Sequence, residues 1–257
     1  MTNLPDIQYL TTKSDRQLAY RYYQADGATV VFLCGFRSTM DSIKAKAVME
    51  WCISNDTACL CFDYSGHGES SGRFEDGSIG DWLDDAEALF QEVKSEQKIL
   101  VGSSMGGWIA LLLALRQRDE TSGILTIACA ADFVSNILTP ILDEKHLQTL
   151  QQDGVTYLPS NFPDDGPYII SQKLLDDAVD HELLNHAIKL DCPVELIHGC
   201  ADLQIPWETS LQVMQQLTTQ ESTLTLIKDG GHRLSRPEDI AVLHAQLEKL
   251  LTKVAGQ

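Results

Sequence analysis

Two hydrophobic patterns alternate along the chain. Short runs of consecutive apolar residues predict buried strands, and longer stretches with an apolar residue every three or four positions predict amphipathic helices. The strands are predicted at 29–34, 57–62, 98–102, 123–128, 194–198 and 224–227, and the helices at about 42–53, 79–93, 105–116 and 237–251. Strands alternating with helices of this length predict an α/β fold, a mostly parallel sheet flanked by helices on both faces.

The ends of this pattern differ from its middle. Residues 7–11 and 17–23 alternate between apolar and polar positions, which predicts an antiparallel hairpin added to the edge of the sheet. We expect residues 1–257 to form a single domain, since a chain of this size can bury one large core.

One stretch, from about 132 to 190, interrupts the alternation. It has no strong strand pattern, and it contains helical pieces separated by turn-forming residues: Pro140, Pro159, Pro163, Gly166 and Pro167. Long insertions of this kind usually cover a binding site. We therefore predict a helical cap insertion at about 132–190.

A strand-to-helix junction carries the first candidate for chemistry. Gly102, Ser104 and Gly106 fit the motif G-x-S-x-G, which places a serine hydroxyl on a sharp turn above a sheet. Ser103 lacks the flanking glycines. The alternative interpretation is a tight junction in which the glycines serve packing alone and Ser104 caps the helix.

A serine nucleophile requires a histidine base that is oriented by a carboxylate. Asp202 follows the predicted strand at 194–198, and His232 follows the strand at 224–227. With Ser104, they occur in the order serine, acid, histidine that accompanies this motif. Asp132, after the strand at 123–128, is an alternative acid.

The remaining polar candidates have weaker support. His67 is expected to serve a turn, His198 to be a hydrogen-bonded structural residue, and the other histidines to have no catalytic role. An oxyanion hole needs two donors, and the motif supplies the backbone N–H of Met105. The loop after the strand at 29–34 supplies the other, for which we nominate the N–H of Phe36.

Composition restricts the partners and the location. The formal charge is −18, with 37 acidic and 19 basic residues. A surface this acidic disfavours nucleic acid and anionic lipid as partners. The N-terminal residues do not resemble a secretory or transit segment, no apolar run could span a bilayer, and the seven cysteines lack metal-ligand spacing. We expect a cytoplasmic protein without membrane insertion, whose cysteines are small core residues.

Several stretches together resemble a known family. They are GFRSTM at 35–40, FDYSGHGESSG at 62–72, GSSMGGW at 102–108, AAD at 130–132 and the segment at 198–207. On these residues the chain resembles the α/β-hydrolase superfamily over essentially its whole length. The resemblance implies the fold predicted above and a triad at Ser104, Asp202 and His232. Many members have histidine before the glycine of the first stretch, where this chain has Cys34.

These features predict a serine hydrolase that cleaves carboxylic esters or thioesters through an acyl-enzyme. It would act on a small-molecule or acylated substrate as a monomer or homodimer, and would need no metal or organic cofactor. Apolar side chains of the insertion, among them Phe133, Phe162 and Tyr168, are predicted to line an acyl pocket. The alternatives are a non-catalytic small-molecule-binding protein with the same fold and a small peptidase.

Overall fold

Strands and helices alternate along most of the chain in this computed structural model, which describes residues 3–160 and 166–256. The strands are β1 (Gln8–Thr11), β2 (Gln17–Tyr23), β3 (Thr29–Leu33), β4 (Ala58–Phe62), β5 (Lys98–Ser103), β6 (Thr121–Ile127), β7 (Val155–Leu158), β8 (Tyr168–Ser171), β9 (Val194–Gly199) and β10 (Ser222–Ile227). The helices are α1 (Ile43–Ser54), α2 (Ile79–Glu92), α3 (Met105–Arg116), α4 (Glu144–Asp153), α5 (Gln172–Ala178), α6 (Glu208–Gln216) and α7 (Pro237–Ala255).

Eight of these strands form the central sheet, in the order β1-β2-β4-β3-β5-β6-β9-β10. β2 is antiparallel to β1 and β4, and all other neighbours are parallel. Every residue of β3, β4, β5 and β9 is buried, which explains why apolar residues predominate in these strands. Lys98, Glu195 and His198 are buried there as well. Helix α1 contacts α7, and α2 contacts α3. The predicted α/β fold and its N-terminal hairpin are confirmed.

The segment between β6 and β9 contains the main departure from the sequence prediction. β7 and β8 pair there as an antiparallel hairpin, although no strong strand pattern was expected. Each strand has only four residues, too few to establish an alternation. Helix α6 was also not predicted, since only Ser210 and Val213 on it are buried and its apolar stripe is therefore narrow.

Hydrogen bonds close this segment, the cap, on itself and attach it to helix α3. The carboxylate of Asp132 accepts from the backbone N–H groups of Leu183 and Leu184, both at 2.8 Å. Nε1 of Trp108 on α3 donates to the carbonyl oxygen of His181 at 3.0 Å. The cap is therefore anchored near the carboxyl ends of β5 and β6.

Burial corrects one expectation about the cysteines. Five of them are buried, as predicted for small core residues, but Cys200 is exposed and Cys192 is partly exposed. Within residues 3–160 and 166–256, none of the helices combines the length and apolarity needed to cross a membrane.

The junction between β5 and α3 generates a prediction about stability. A Cβ atom at Gly106 would lie 2.1 Å from the carbonyl oxygen of Leu33, which is fixed backbone in β3. We expect Gly106→Ala to lower the free energy of unfolding by about 3 kcal/mol and the Tm by roughly 10 °C. Gly231→Ala is the matched control, because a Cβ there meets nothing within 4 Å. Equal thermal melts for the two variants would contradict this packing argument.

Candidate active site

Ser104 lies on a strained turn between β5 and α3, with a backbone φ of +55°. A Cβ at Gly102 would lie 2.2 Å from the carbonyl oxygen of Gly106, so the motif's glycines permit a close backbone crossing. The Ser104 side chain makes no capping hydrogen bond to α3. The helix-cap alternative for Ser104 is therefore wrong, and its hydroxyl points elsewhere.

That hydroxyl belongs to a chain of hydrogen bonds with the two other predicted residues. Oγ of Ser104 is 3.0 Å from Nε2 of His232, and Nδ1 of His232 is 2.7 Å from Oδ2 of Asp202. The imidazole of His232 is 14% exposed, whereas the Asp202 side chain is fully buried. The structure thus brings together three residues that are up to 128 positions apart in sequence.

The buried carboxylate of Asp202 has a full set of hydrogen-bond donors. Oδ1 accepts from the backbone N–H groups of Gln204 at 2.9 Å and Ile205 at 3.0 Å. Oδ2 is also 3.1 Å from Nε2 of His198. Burial alone would raise the pKa of Asp202, but hydrogen bonds from His198 and His232 outweigh it and hold this pKa well below its usual value.

An ionised Asp202 determines how His232 uses its two nitrogens. A carboxylate can only accept hydrogen bonds, so Nδ1 of His232 carries a proton and donates a hydrogen bond to Asp202. In the neutral ring, Nε2 is then left with a lone pair directed at the Ser104 hydroxyl. In this arrangement, Nε2 of His232 can accept the proton of the Ser104 hydroxyl.

The alternative acid, Asp132, has a different task. Both of its oxygens bond to the cap amides of Leu183 and Leu184. Burial raises the pKa of Asp132 despite those amides. Among the described residues, none of its hydrogen bonds reaches His232, so the structure does not support Asp132 as the acid.

The two nominated oxyanion donors are both available. Met105 is the first residue of α3, and Phe36 follows Gly35, where a Cβ would lie 3.3 Å from Cβ of Ser104. Across the described ranges, neither backbone N–H donates a hydrogen bond to another group. The dipole of α3 adds positive potential at its N-terminus, beside Ser104.

His67 supports the loop that carries Phe36, a contact that sequence reasoning missed. Its Nδ1 is 3.2 Å from the carbonyl oxygen of Ser65, and its Nε2 accepts from the backbone N–H of Arg37 at 3.3 Å. Burial lowers the pKa of His67 to about 4, so the ring is neutral and able to accept. The short sequence motif around His67 shows the turn but not its partner across the molecule.

Arg37 extends the same loop to the cap. Its backbone φ is +57°, and its guanidinium Nη1 donates to the carbonyl oxygen of Pro167 at 2.5 Å. The loop beside Ser104 is therefore held by His67 on one side and by the cap on the other.

Aromatic side chains surround Phe36 beneath the cap. The Phe36 ring centroid is 4.9 Å from that of Phe74, 5.5 Å from that of Phe133 and 6.1 Å from that of Tyr168. Phe133 also packs edge-on against Trp108 and is only 7% exposed. Of the predicted pocket residues, Phe133 and Tyr168 thus lie beside Phe36, while Phe162 lies outside the described residues.

Comparisons with known proteins agree with this fold. The family model Hydrolase_4, described as serine aminopeptidase S33, matches residues 24–157. A crystal structure of a protein from Agrobacterium vitis S4 is 33% identical, has a TM-score of 0.90, and is matched over 96% of this chain and 98% of that one. The chain therefore belongs to the Hydrolase_4 family and has the α/β-hydrolase fold, as the resemblance implied.

Two of the proteins similar to this chain bear names more specific than that of the family. Mitochondrial palmitoyl-protein thioesterase ABHD10 from Homo sapiens is 30% identical over 97% of this chain and 81% of the human protein. The structure of α/β hydrolase domain-containing protein 10 from mouse is 32% identical, with a TM-score of 0.89 over 97% of this chain and 99% of the mouse chain. The similarity to these proteins supports hydrolase activity for this chain.

The buried His67 predicts a pH dependence of stability. An unfolded chain binds a proton at this residue near pH 6.5, whereas the native ring resists protonation down to about pH 4. The contribution of neutral His67 to the free energy of unfolding is therefore fully present above pH 6.5. About 3 kcal/mol of the free energy of unfolding is lost as the pH falls toward 4.

We expect His67→Gln to be less stable than wild type at pH 7 and to lose that disadvantage by about pH 4, as measured by urea unfolding. Replacement of the exposed His186 by Gln is the matched control, and it should leave the free energy of unfolding at pH 7 nearly unchanged. A His67→Gln difference that stays constant from pH 7 to 4 would refute a neutral, buried His67.

Proposed function

We propose that this protein is a serine hydrolase that cleaves carboxylic esters or thioesters through an acyl-enzyme intermediate. Ser104 is the nucleophile, His232 the general base and acid, and Asp202 the residue that orients His232. The observation that carries the proposal is the continuous hydrogen-bond chain from Asp202 through His232 to Ser104. The amides of Phe36 and Met105 support it too, because they donate no other hydrogen bond within the described part of the chain.

In the first half of this reaction, Oγ of Ser104 bonds to the substrate carbonyl carbon while its proton passes to Nε2 of His232. The carbonyl oxygen becomes an oxyanion and accepts hydrogen bonds from the amides of Phe36 and Met105. The bond to the leaving oxygen or sulfur then breaks, and His232 returns its proton to the departing alcohol or thiol.

In the second half, water attacks the acyl-serine and gives its proton to His232. The second tetrahedral intermediate collapses, the carboxylic acid leaves, and His232 returns the proton to Oγ of Ser104. Asp202 stays ionised throughout and stabilises the imidazolium, which is consistent with the lowered pKa of its carboxyl.

The substrate class follows from the aromatic cluster beside Phe36. Phe74, Phe133 and Tyr168 pack around the ring of Phe36, and such an apolar surrounding suits an acyl chain better than a charged group. The relatives named palmitoyl-protein thioesterase support an acylated substrate. Those relatives are also named mitochondrial, so the cytoplasmic location stays a prediction, as does a monomeric or dimeric state.

A peptidase is the second candidate, favoured by the description of the family model as a serine aminopeptidase. Amide hydrolysis uses the same serine, base and oxyanion donors, but it also requires protonation of a poorer leaving group. Comparison of an aminoacyl p-nitroanilide with a p-nitrophenyl ester separates the two activities. We expect the ester to be turned over at least about a hundredfold faster.

Removal of the nucleophile is the sharpest kinetic test. We expect Ser104→Ala to lower kcat/KM for p-nitrophenyl butyrate by about 10³-fold or more, because attack at the carbonyl is lost rather than a contact weakened. Ser103→Ala, one residue earlier in β5, is the matched control and should retain most of the activity. Activity that survives in Ser104→Ala but not in Ser103→Ala would overturn the assignment.

The acyl pocket is tested by substrate length. Each methylene buried by the pocket contributes about 0.8 kcal/mol, so two further carbons raise kcat/KM by roughly tenfold until the pocket is filled. A p-nitrophenyl ester series from two to twelve carbons should show this rise, and Phe133→Ala should flatten it.

Tyr157→Ala is the control for that series, because Tyr157 also lies on the cap but is 54% exposed. Its length profile should match wild type. A profile that is highest for acetate and falls with each added carbon would refute the acyl pocket. It would not contradict the serine mechanism.

A further inference from the structure

A second histidine, His198 at the end of β9, bonds to the acid of the site. Its Nε2 lies 3.1 Å from Oδ2 of Asp202 and 3.0 Å from the carbonyl oxygen of Ile205. Both partners can only accept, so Nε2 of His198 carries a proton. Oδ2 of Asp202 therefore accepts from two imidazoles, those of His198 and His232.

The other ring nitrogen of His198 is held by helix α6. Nδ1 is 2.7 Å from Oγ of Ser210, and both side chains belong to fully buried residues. In the described part of the chain, the Ser210 hydroxyl has no other hydrogen-bond partner. The arrangement in which every group is satisfied is a neutral His198, with Ser210 donating to Nδ1 and Nε2 donating to Asp202.

We propose that His198 is a positioning residue for the reaction, which acts by sharing Oδ2 of Asp202 with His232. The proposal rests on the proposed function of the site. A merely structural histidine needs only to satisfy its two nitrogens. His198 instead bonds to the same carboxylate oxygen that orients the base.

Sharing that oxygen has an electrostatic consequence. The hydrogen bond from His198 withdraws part of the negative charge of Asp202 from His232, so the imidazolium form of His232 is less strongly favoured. The His198 bond therefore shifts the acid limb of the pH–rate profile to lower pH than it would have without His198.

Apart from His232, no further ionisable group is bonded to His198 or Asp202 in the described ranges. Helix α6 contributes the Ser210 hydroxyl, and the loop after β9 contributes the amide and carbonyl of Ile205. Beside His198 in the sheet, β10 contributes Leu226. Asp202 and His232 are thus the groups whose titration the bond can affect.

Two substitutions of His198 distinguish the effect of its hydrogen bond from the effect of its ring volume. His198→Gln retains an N–H donor near the position of Nε2, whereas His198→Met fills similar space without a donor. We expect His198→Met to shift the acid limb of kcat/KM for p-nitrophenyl butyrate upward by about 0.5 to 1 pH unit and to lower its plateau about tenfold. His198→Gln should keep the limb within about 0.3 pH unit of wild type.

His244→Met is the matched control, because His244 on α7 is partly buried and its Nε2 bonds to the carbonyl oxygen of Ala47 at 3.1 Å, away from Asp202. It should leave the limb unchanged, and thermal melts establish that each variant is folded. A folded His198→Met with the wild-type limb, or an equal shift in His198→Gln, would overturn the proposal.

Nuclear magnetic resonance of the wild-type protein labelled with ¹⁵N-histidine gives a second test, which does not depend on a variant that folds poorly. Long-range ¹H–¹⁵N correlations should show His198 protonated at Nε2 alone at pH 7. A proton on Nδ1 would overturn the proposal. Absence of ester turnover by wild type would contradict the proposed function instead, while the tautomer would still test the bond to Asp202.

Discussion

Close backbone packing at the end of β5 is the constraint on which the rest of the site depends. Gly106 approaches the carbonyl of Leu33 in β3, and Gly102 approaches Gly106, so that side chains are excluded at both positions. The chain can then turn sharply at Ser104, with a φ of +55°. This turn places the start of α3 beside the loop after β3, where a Cβ atom at Gly35 would lie 3.3 Å from Cβ of Ser104.

Strain in the backbone is concentrated around the same edge of the sheet. Arg37, Ser104, Ala128, Asp132 and Leu234 all have positive φ, and each follows the carboxyl end of a parallel strand in the loop that leaves it. Buried hydrogen bonds offset this cost: His67 holds Arg37, and the cap amides hold Asp132. These hydrogen bonds therefore hold the strained loops at this edge of the sheet in one conformation.

Much of the fold could be predicted from the sequence, because parallel strands buried on both faces consist mainly of apolar residues. Helix α3 was placed at its observed bounds, and the order of Ser104, Asp202 and His232 was enough to select residues that the structure brings together. The contacts of His67 with Arg37 and of His198 with Asp202 could not be predicted, since the tertiary fold brings these partners together. The β7–β8 hairpin was missed because four-residue strands carry almost no periodicity.

Covalent trapping of the nucleophile tests the central claim most directly. The intact mass of the protein is measured after reaction with a fluorophosphonate, and the modified peptide is sequenced by fragmentation. We expect one added phosphonyl group per chain, attached to Ser104, and no adduct on Ser103. On the same timescale, no adduct should form when Asp202 or His232 is replaced by alanine. An unmodified wild-type protein, or an adduct on any other residue, would contradict it.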